Sequence, residues 1–412
     1  MKIKNLRKEL LLFFLLYITL ISGFILNENS TGGAYNDFVG RVDQTKFFLK
    51  DFWSTFLNYD SFGDRHSPIQ FIIFTFLKQL NIEWDTIRFV NLHLMLLCIL
   101  FFYKTLSLKF SNIDKGYLII ISFIFFLSPS FRSLSIWPDS RLVGFLFFII
   151  SVFYFLKSEK NSGLLYVYLN IFFLAIASYF SLNYSVFAIY FFYKFFLRFK
   201  FSANLYFIIF CNLVLALPAI YYIFILKIFF MFSASTPGLD SSNISFLQFN
   251  IFNKILIISS IILFYFAPFA FTKNVQIISK QIKLMEIFSI LVLFFISVLF
   301  FNYQIEFTGG GIFFRFSNII LGNNYFFFIV CLVSLTYLFL FCKKRFDNLL
   351  IIFLLFLSNP QVTIYHKYFD PLLLFLIFSL ISIDFKENFF NKKNIVILYI
   401  YYSIFLVINL LK

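Results

Sequence analysis

The sequence predicts an all-α, polytopic membrane protein of about 13 transmembrane helices, with a large first extracytoplasmic loop that contains a juxtamembrane helix. Three observations carry this prediction. Hydrophobic residues make up 61% of the 412 positions and charged residues only 13%, about half the charged share of a soluble domain. Apolar runs long enough to cross about 30 Å of hydrocarbon recur from end to end. The ionised residues are also sorted along the chain: eight of the 19 acids fall between Asn27 and Asp85, while lysines and arginines punctuate the later connections.

Met1 to Glu9 carries Lys2, Lys4, Arg7 and Lys8 and is followed by the apolar run Leu10 to Leu26. No small-x-small cleavage site follows, so this reads as an uncleaved first helix with a cytoplasmic N-terminus rather than a secretory signal. The polar segment 27–86 comes next, and within it Pro68 to Leu80 is apolar but only 13 residues long. At 1.5 Å per residue such a helix covers about 20 Å, too little to span, so it is expected to lie along the outer surface. Later spans are expected near 87–103, 117–130, 141–156, 163–180, 184–198, 203–225, 251–271, 284–302, 324–342, 348–358, 369–384 and 394–411. Alternating them across the bilayer puts 21 of the 34 basic residues in cytoplasmic segments, as the positive-inside rule requires. The whole chain, 1–412, reads as one integral membrane domain, in a multi-pass cell membrane protein expected in a bacterial inner membrane.

The remaining composition narrows the function. Net charge is +15, but the charges follow the topology, so no nucleic-acid partner is implied. The excess of Phe, at 72 residues, fits a coding bias and drift among apolar residues. Cys98, Cys211, Cys331 and Cys342 lie in or at the ends of apolar spans with no close pairing, and read as small core residues. Histidine is limited to His66, His93 and His366, which excludes a histidine-rich metal site. No HExxH, CxxC, Walker or GxSxG pattern occurs.

Chemistry is therefore sought in the polar connections. Asp37 lies about ten residues past the first span, and a carboxylate there can take a proton from a hydroxyl; a solvated loop acid is the bland alternative. Arg65 and His66 precede Ser67-Pro68 at the re-entry to the surface helix, suited either to a phosphate or to interfacial anchoring. The outer connection 131–141 groups Arg132, Trp137, Pro138, Asp139 and Arg141, charges that are costly at a bilayer surface without a use. Local Arg–Asp pairing in a turn is the competing account. Arg315 follows Gly309-Gly310-Gly311, a weak phosphate signal without a P-loop lysine, and His366-Lys367 lies in a late outer loop.

The order of these features resembles the GT-C superfamily of membrane glycosyltransferases, especially its protein-mannosyltransferase and aminoarabinose-transferase branches. The matching residues are Asp37 after span one, His66-Ser67-Pro68 at the juxtamembrane helix, Trp137-Pro138-Asp139 in a later outer loop, and the stretch Tyr365 to Pro371. The match covers roughly the first 200 residues; beyond that it rests on topology. Asn36 stands where the family often has a second acid, and Ser67 where it has a proline; Asp43 is the reserve candidate for the base. The resemblance implies a polyprenyl-phosphate sugar donor, a lipid, glycan or protein acceptor, and inverting transfer at the extracytoplasmic face. Asp37 would be the general base, with Asp139 also catalytic. Arg65, His66, Arg132, Arg141, Arg315, His366 and Lys367 would bind substrate. It implies no required cofactor, though Asp37 with Asp139 could hold a divalent metal.

Three other readings stay open. A transporter or flippase of lipid-linked sugars should carry ionisable or broken-helix positions at mid-membrane, whereas the polar groups here concentrate in outer connections. A polymerase or ligase of lipid-linked glycans would carry its large outer loop late, and here it comes first. A purely structural subunit would not need the acidic cluster.

Overall fold

A computed structural model describes residues 3–64, 66–161, 163–230, 250–270, 283–307, 309–343, 345–383 and 389–411. Arg65, the Ser/Asn-rich stretch 231–249, and the basic residues Lys273, Lys280, Lys344 and Lys386 lie outside them. The described residues form helices without strands. In order they are α1 (Ile3–Ile25), α2 (Ala34–Lys50), α3 (Phe52–Leu57), α4 (Ile69–Gln79), α5 (Trp84–Lys109), α6 (Lys115–Ser122), α7 (Pro129–Ile136), α8 (Ser140–Lys160), α9 (Leu164–Phe180), α10 (Phe187–Phe199) and α11 (Ala203–Ile220). There follow α12 (Ile251–Ala270), α13 (Leu284–Leu299), α14 (Gly311–Leu321), α15 (Tyr325–Cys342), α16 (Phe346–Leu357), α17 (Leu372–Phe378) and α18 (Lys392–Leu410).

Among the described residues seven helices are long and apolar enough to cross a membrane: α1, α5, α8, α11 with its extension to Ile225, α12, α15 and α18. An eighth is gained if Lys115–Leu127 and Pro129–Ile136, bent by 67° at Ser128, count as one span. The described residues thus support seven or eight spans by length and do not confirm the expected 13. The expected spans at 163–180, 184–198, 284–302, 348–358 and 369–384 fall on helices of 17, 13, 16, 12 and 7 residues. Apolar composition alone marks both a bilayer crossing and a helix sunk among its neighbours, and only length separates them. The surface-helix expectation at 68–80 falls on α4, which begins after Pro68 and runs 11 residues.

Packing divides the chain into two compact units, Met1–Phe230 with Phe390–Lys412, and Met231–Phe389. In the first unit α8 packs on α9 and α5, α5 on α7, α2 on α4 and α7, and α18 on α7. In the second, α12 is the centre, touching α13, α14, α15, α16 and α17.

Two sequence expectations change in the first unit. Asp37 is not on a loop: it lies in the first turn of α2, whose first N–H groups are met by Asn29 Oδ1 accepting from Ala34 N at 3.0 Å. Helix α2 forms because Ala34, Phe38, Arg41, Thr45 and Phe48 recur at helical spacing and bury together. The stretch 131–141 is not an exposed outer connection either. Every residue from Ile121 to Leu142 is buried. Ser128 turns the chain, its hydroxyl accepting from Phe131 N at 2.9 Å, and Pro129 starts α7 in the first turn, where its missing N–H costs nothing.

Candidate functional site

Helices α2 and α8 bring the central charges together. Asp139 caps α8, its Oδ1 accepting from Arg141 N at 2.7 Å and from Arg141 Nε at 2.9 Å. A local cap thus fixes the Arg141 guanidinium, which then reaches two carboxylates with one nitrogen. Nη2 donates to Asp139 Oδ2 at 2.5 Å and to Asp37 Oδ2 at 2.9 Å. From the buried stripe of α2, Arg41 Nη2 donates to the same Asp139 oxygen at 2.7 Å. Asp37 precedes Arg41 by four residues, so both point from one face of α2.

The two carboxylates are not equivalent. The Asp139 side chain is 1% exposed, that of Asp37 21%. Burial alone would raise the Asp139 carboxyl, but the Arg141 and Arg41 guanidiniums outweigh it and hold Asp139 well below the ordinary carboxylate range. A carboxylate clamped so tightly orients its arginines and is a poor proton acceptor. Asp37 is the partly exposed member, the one a molecule from outside can approach.

Beside this group, Asp64 accepts from His66 N at 2.7 Å and pairs with His66 Nδ1 at 2.8 Å. The His66 carbonyl accepts from Tyr59 OH at 2.8 Å. Burial would raise the Asp64 carboxyl; the charge and hydrogen bonds of His66, with Arg41 assisting, bring it down to about 2. Its stabilising effect is therefore present above about pH 4, the unfolded value, and is lost as pH falls through about 2. We expect Asp64→Asn to cost about 2 kcal/mol at pH 7, the shift times about 1.4 kcal/mol per unit. That difference from the wild type should vanish near pH 2. Thermal unfolding of both proteins at the two pH values checks it, and a difference that does not change with pH rules the account out.

Arg132 belongs to another network. Its Nε and Nη2 grip Glu28, with Nη2 to Oε2 at 2.5 Å, and the remaining N–H groups reach Thr19 Oγ1, Thr19 O and Phe126 O. All five donors are spent, so Arg132 braces α1 against α7 and has none left for a substrate phosphate. The brace needs Gly23, where a Cβ would come within 2.3 Å of Glu28 Oε2. Trp137 serves the same region, donating from Nε1 to Glu28 O at 2.9 Å beneath Arg88, 3.7 Å from its ring centre. His93 packs in α5 with Nε2 2.7 Å from Tyr17 OH.

Arg315, His366 and Lys367 belong to the second unit. Arg315 donates to the carbonyls of Gly309 and Phe307 at 2.7 and 2.8 Å. Gly309 and Gly310 have φ of +105° and +83°, and a Cβ on Gly309 would lie 2.5 Å from Ile364 O. Gly310 N donates to that carbonyl at 2.8 Å, so the glycine run docks the chain around Ile364 instead of cradling a phosphate. His366 Nε2 lies 3.0 Å from Tyr265 OH, and Lys367 Nζ sits 5.1 Å from the Tyr365 ring centre.

The structure therefore joins Asp37, Asp139 and Arg141, sets His66 beside them, and separates Arg132. Sequence reasoning missed Arg41, although its place on the apolar stripe 34/38/41/45/48 was visible: a charge in the middle of a buried face needs a partner. Among the described residues no group of three or more His, Cys, Asp or Glu is disposed to hold a metal ion. A divalent ion between Asp37 and Asp139 would have to displace the Arg141 guanidinium that bridges them. No protein-family model, curated protein or solved structure matches the chain.

Proposed function

We propose that the protein is an integral membrane glycosyltransferase that moves a sugar from a polyprenyl-phosphate donor to an acceptor hydroxyl at the extracytoplasmic face. One observation carries this reading most directly: a partly exposed carboxylate, Asp37, is fixed beside two arginines, and Arg41 Nε and Nη1 are buried with no hydrogen-bond partner among the described residues. Buried N–H groups of a guanidinium are rarely left unpaired, and a phosphate oxygen is the acceptor that suits them best. In this reading Asp37 takes the proton of the acceptor hydroxyl. The freed oxygen bonds to the anomeric carbon from the face opposite the phosphate. The bond from that carbon to the phosphate oxygen breaks, and its electron pair leaves on the lipid phosphate. Arg41, with Arg141 behind it, offsets the charge that develops there. Asp139 orients both arginines, a positioning role that replaces the catalytic one expected from sequence.

A transporter of lipid-linked sugars is the second reading, favoured by Lys254, an ionisable residue 1% exposed within α12. Binding measurements on the protein reconstituted in phosphatidylcholine discs separate the two when turnover is read alongside. We expect polyprenyl phosphate to bind, Arg41→Gln to weaken it at least about tenfold, the value of one charge-assisted hydrogen bond, and polyprenyl-phosphate sugar to be consumed by the wild type. Absence of polyprenyl-phosphate binding by the wild type removes the enzymatic reading. Binding and translocation without consumption replaces it with transport.

A further inference from the structure

The second unit carries a polar seam that the transfer reaction does not use. Lys254 and Tyr265 are eleven residues apart on α12, three helical turns, and so share a face. Against that face runs the irregular stretch that follows α16. Lys254 Nζ donates to the carbonyls of Asn359 and of Gln361, the latter at 2.9 Å. Further along, Ile364 N donates to Tyr303 OH at 3.2 Å, and His366 meets Tyr265 at 3.0 Å. The stretch is thus tied by its backbone at Asn359, Gln361 and Ile364, and by the His366 side chain at its far end.

Its side chains are not tied in the same way. Asn359, Gln361 and Thr363 are 0%, 6% and 0% exposed. Yet Asn359 Oδ1, Gln361 Nε2 and Thr363 Oγ1 have no hydrogen-bond partner among the described residues. Buried polar atoms are nearly always paired, and three orphans on alternate residues of one five-residue stretch call for an explanation. Non-helical backbone in an apolar helical unit is tolerated where it is buried in protein or lines a polar space. The Lys254 bonds, with Asn359 Nδ2 donating to Thr363 O at 3.4 Å, explain how the stretch is held in this structure, and they leave these three atoms without a partner among the described residues.

We propose that residues 359–363 form a binding site for a neutral, polyhydroxylated group such as a sugar, and that the Lys254 contacts hold this site shut in this structure. The three atoms supply one acceptor, one donor and one hydroxyl that does both. Adjacent sugar hydroxyls present the same mixture in return. An anion would face the Asn359 oxygen, and a cation would face the Gln361 amide hydrogens and the Lys254 ammonium. The three atoms lie closed in at present, so a ligand enters as the stretch lifts from α12 and exchanges its contacts there for sugar hydroxyls.

The site does not rest on the transfer reaction, because binding can be read without turnover. The full chain in phosphatidylcholine discs, free of sugar-headed detergent, is titrated with D-glucose, D-galactose, D-mannose and N-acetylglucosamine, with cyclohexanol and inorganic phosphate as further arms, following thermal unfolding and hydrogen exchange over 359–364. At least one sugar should raise the unfolding midpoint by several degrees at tens of millimolar and slow exchange in that stretch, while cyclohexanol and phosphate do neither. Thr363→Val and Gln361→Met, matched in size, should abolish the sugar effect while leaving the sugar-free midpoint unchanged or higher, since each deletes an unpaired polar atom. Lys254→Met should speed exchange at 359–364 in the absence of sugar. The proposal fails if no sugar has an effect, if the effect survives both variants, or if phosphate protects and sugars do not.

Discussion

Asp139→Ala is expected to destabilise the first unit by about 3–5 kcal/mol, the cost of leaving buried charge without its partner. The reason is geometric. Asp139 is the shared acceptor of Arg41 at 2.7 Å and of Arg141 at 2.5 Å, and all three side chains are buried. Removing it strands the Arg41 guanidinium and leaves Arg141 only Asp37 at 2.9 Å among these carboxylates. The α8 cap goes with it, adding about 1 kcal/mol. Removing Arg41 as well should recover part of the loss: Arg41→Met with Asp139→Ala is expected to be more stable than Asp139→Ala alone, since the double change takes away a buried ion together with its counter-ion. Unfolding midpoints of the wild type, both single variants and the double variant measure this coupling. A double variant as unstable as the sum of its parts would show that Arg41 and Asp139 do not act on one another.

Asp37→Asn is expected to lower sugar transfer by about 10²–10⁴-fold, the usual worth of a general base, with normal membrane levels and normal binding of polyprenyl phosphate. Asparagine keeps the size of the side chain and can still accept from Arg141 through its oxygen. What it loses is the capacity to take a proton. Because Asp37 is the most exposed carboxylate of the group, its replacement strands less buried charge than that of Asp139, so activity and stability separate. Asp37→Asn should be inactive and stable, and Asp139→Asn inactive and unstable. Initial rates of transfer, set against unfolding midpoints, distinguish them. An Asp37→Asn protein that transfers sugar at the wild-type rate would move the base elsewhere, with Asp43 the first place to look; Asp43 pairs with Lys46 at 2.7 Å on an exposed part of α2.

Much of the site was legible before the structure. The concentration of acids in 27–85 marked the segment, and Trp137-Pro138-Asp139-Ser140-Arg141 marked the second contributor, because ionised residues are scarce enough in this chain for each one to be noticed. Misplaced were the depth and partners of these residues. The stretch 131–141 looked like a surface connection because it is polar, but its polarity is spent inward: Ser133 on Ser30, Arg132 on Glu28, and Asp139 on two arginines. Polar residues that satisfy one another can be buried, and a one-residue-at-a-time reading scores them as exposed. The span count is left unconfirmed for a related reason, as α9 and α13 are as apolar as a crossing helix but run 17 and 16 residues.

By itself the sequence determined that the protein is helical, rich in membrane-length apolar segments, and polar in a few confined places. Those properties follow from composition and periodicity, which act locally along the chain. Only the tertiary structure decided that Arg141 joins Asp37 to Asp139, that Arg41 rather than Arg132 stands at their side, and that Lys254 fastens the stretch around Gln361. A guanidinium or ammonium can reach many carboxylates and carbonyls in an unfolded chain, and the choice among them is made by which helix faces pack together.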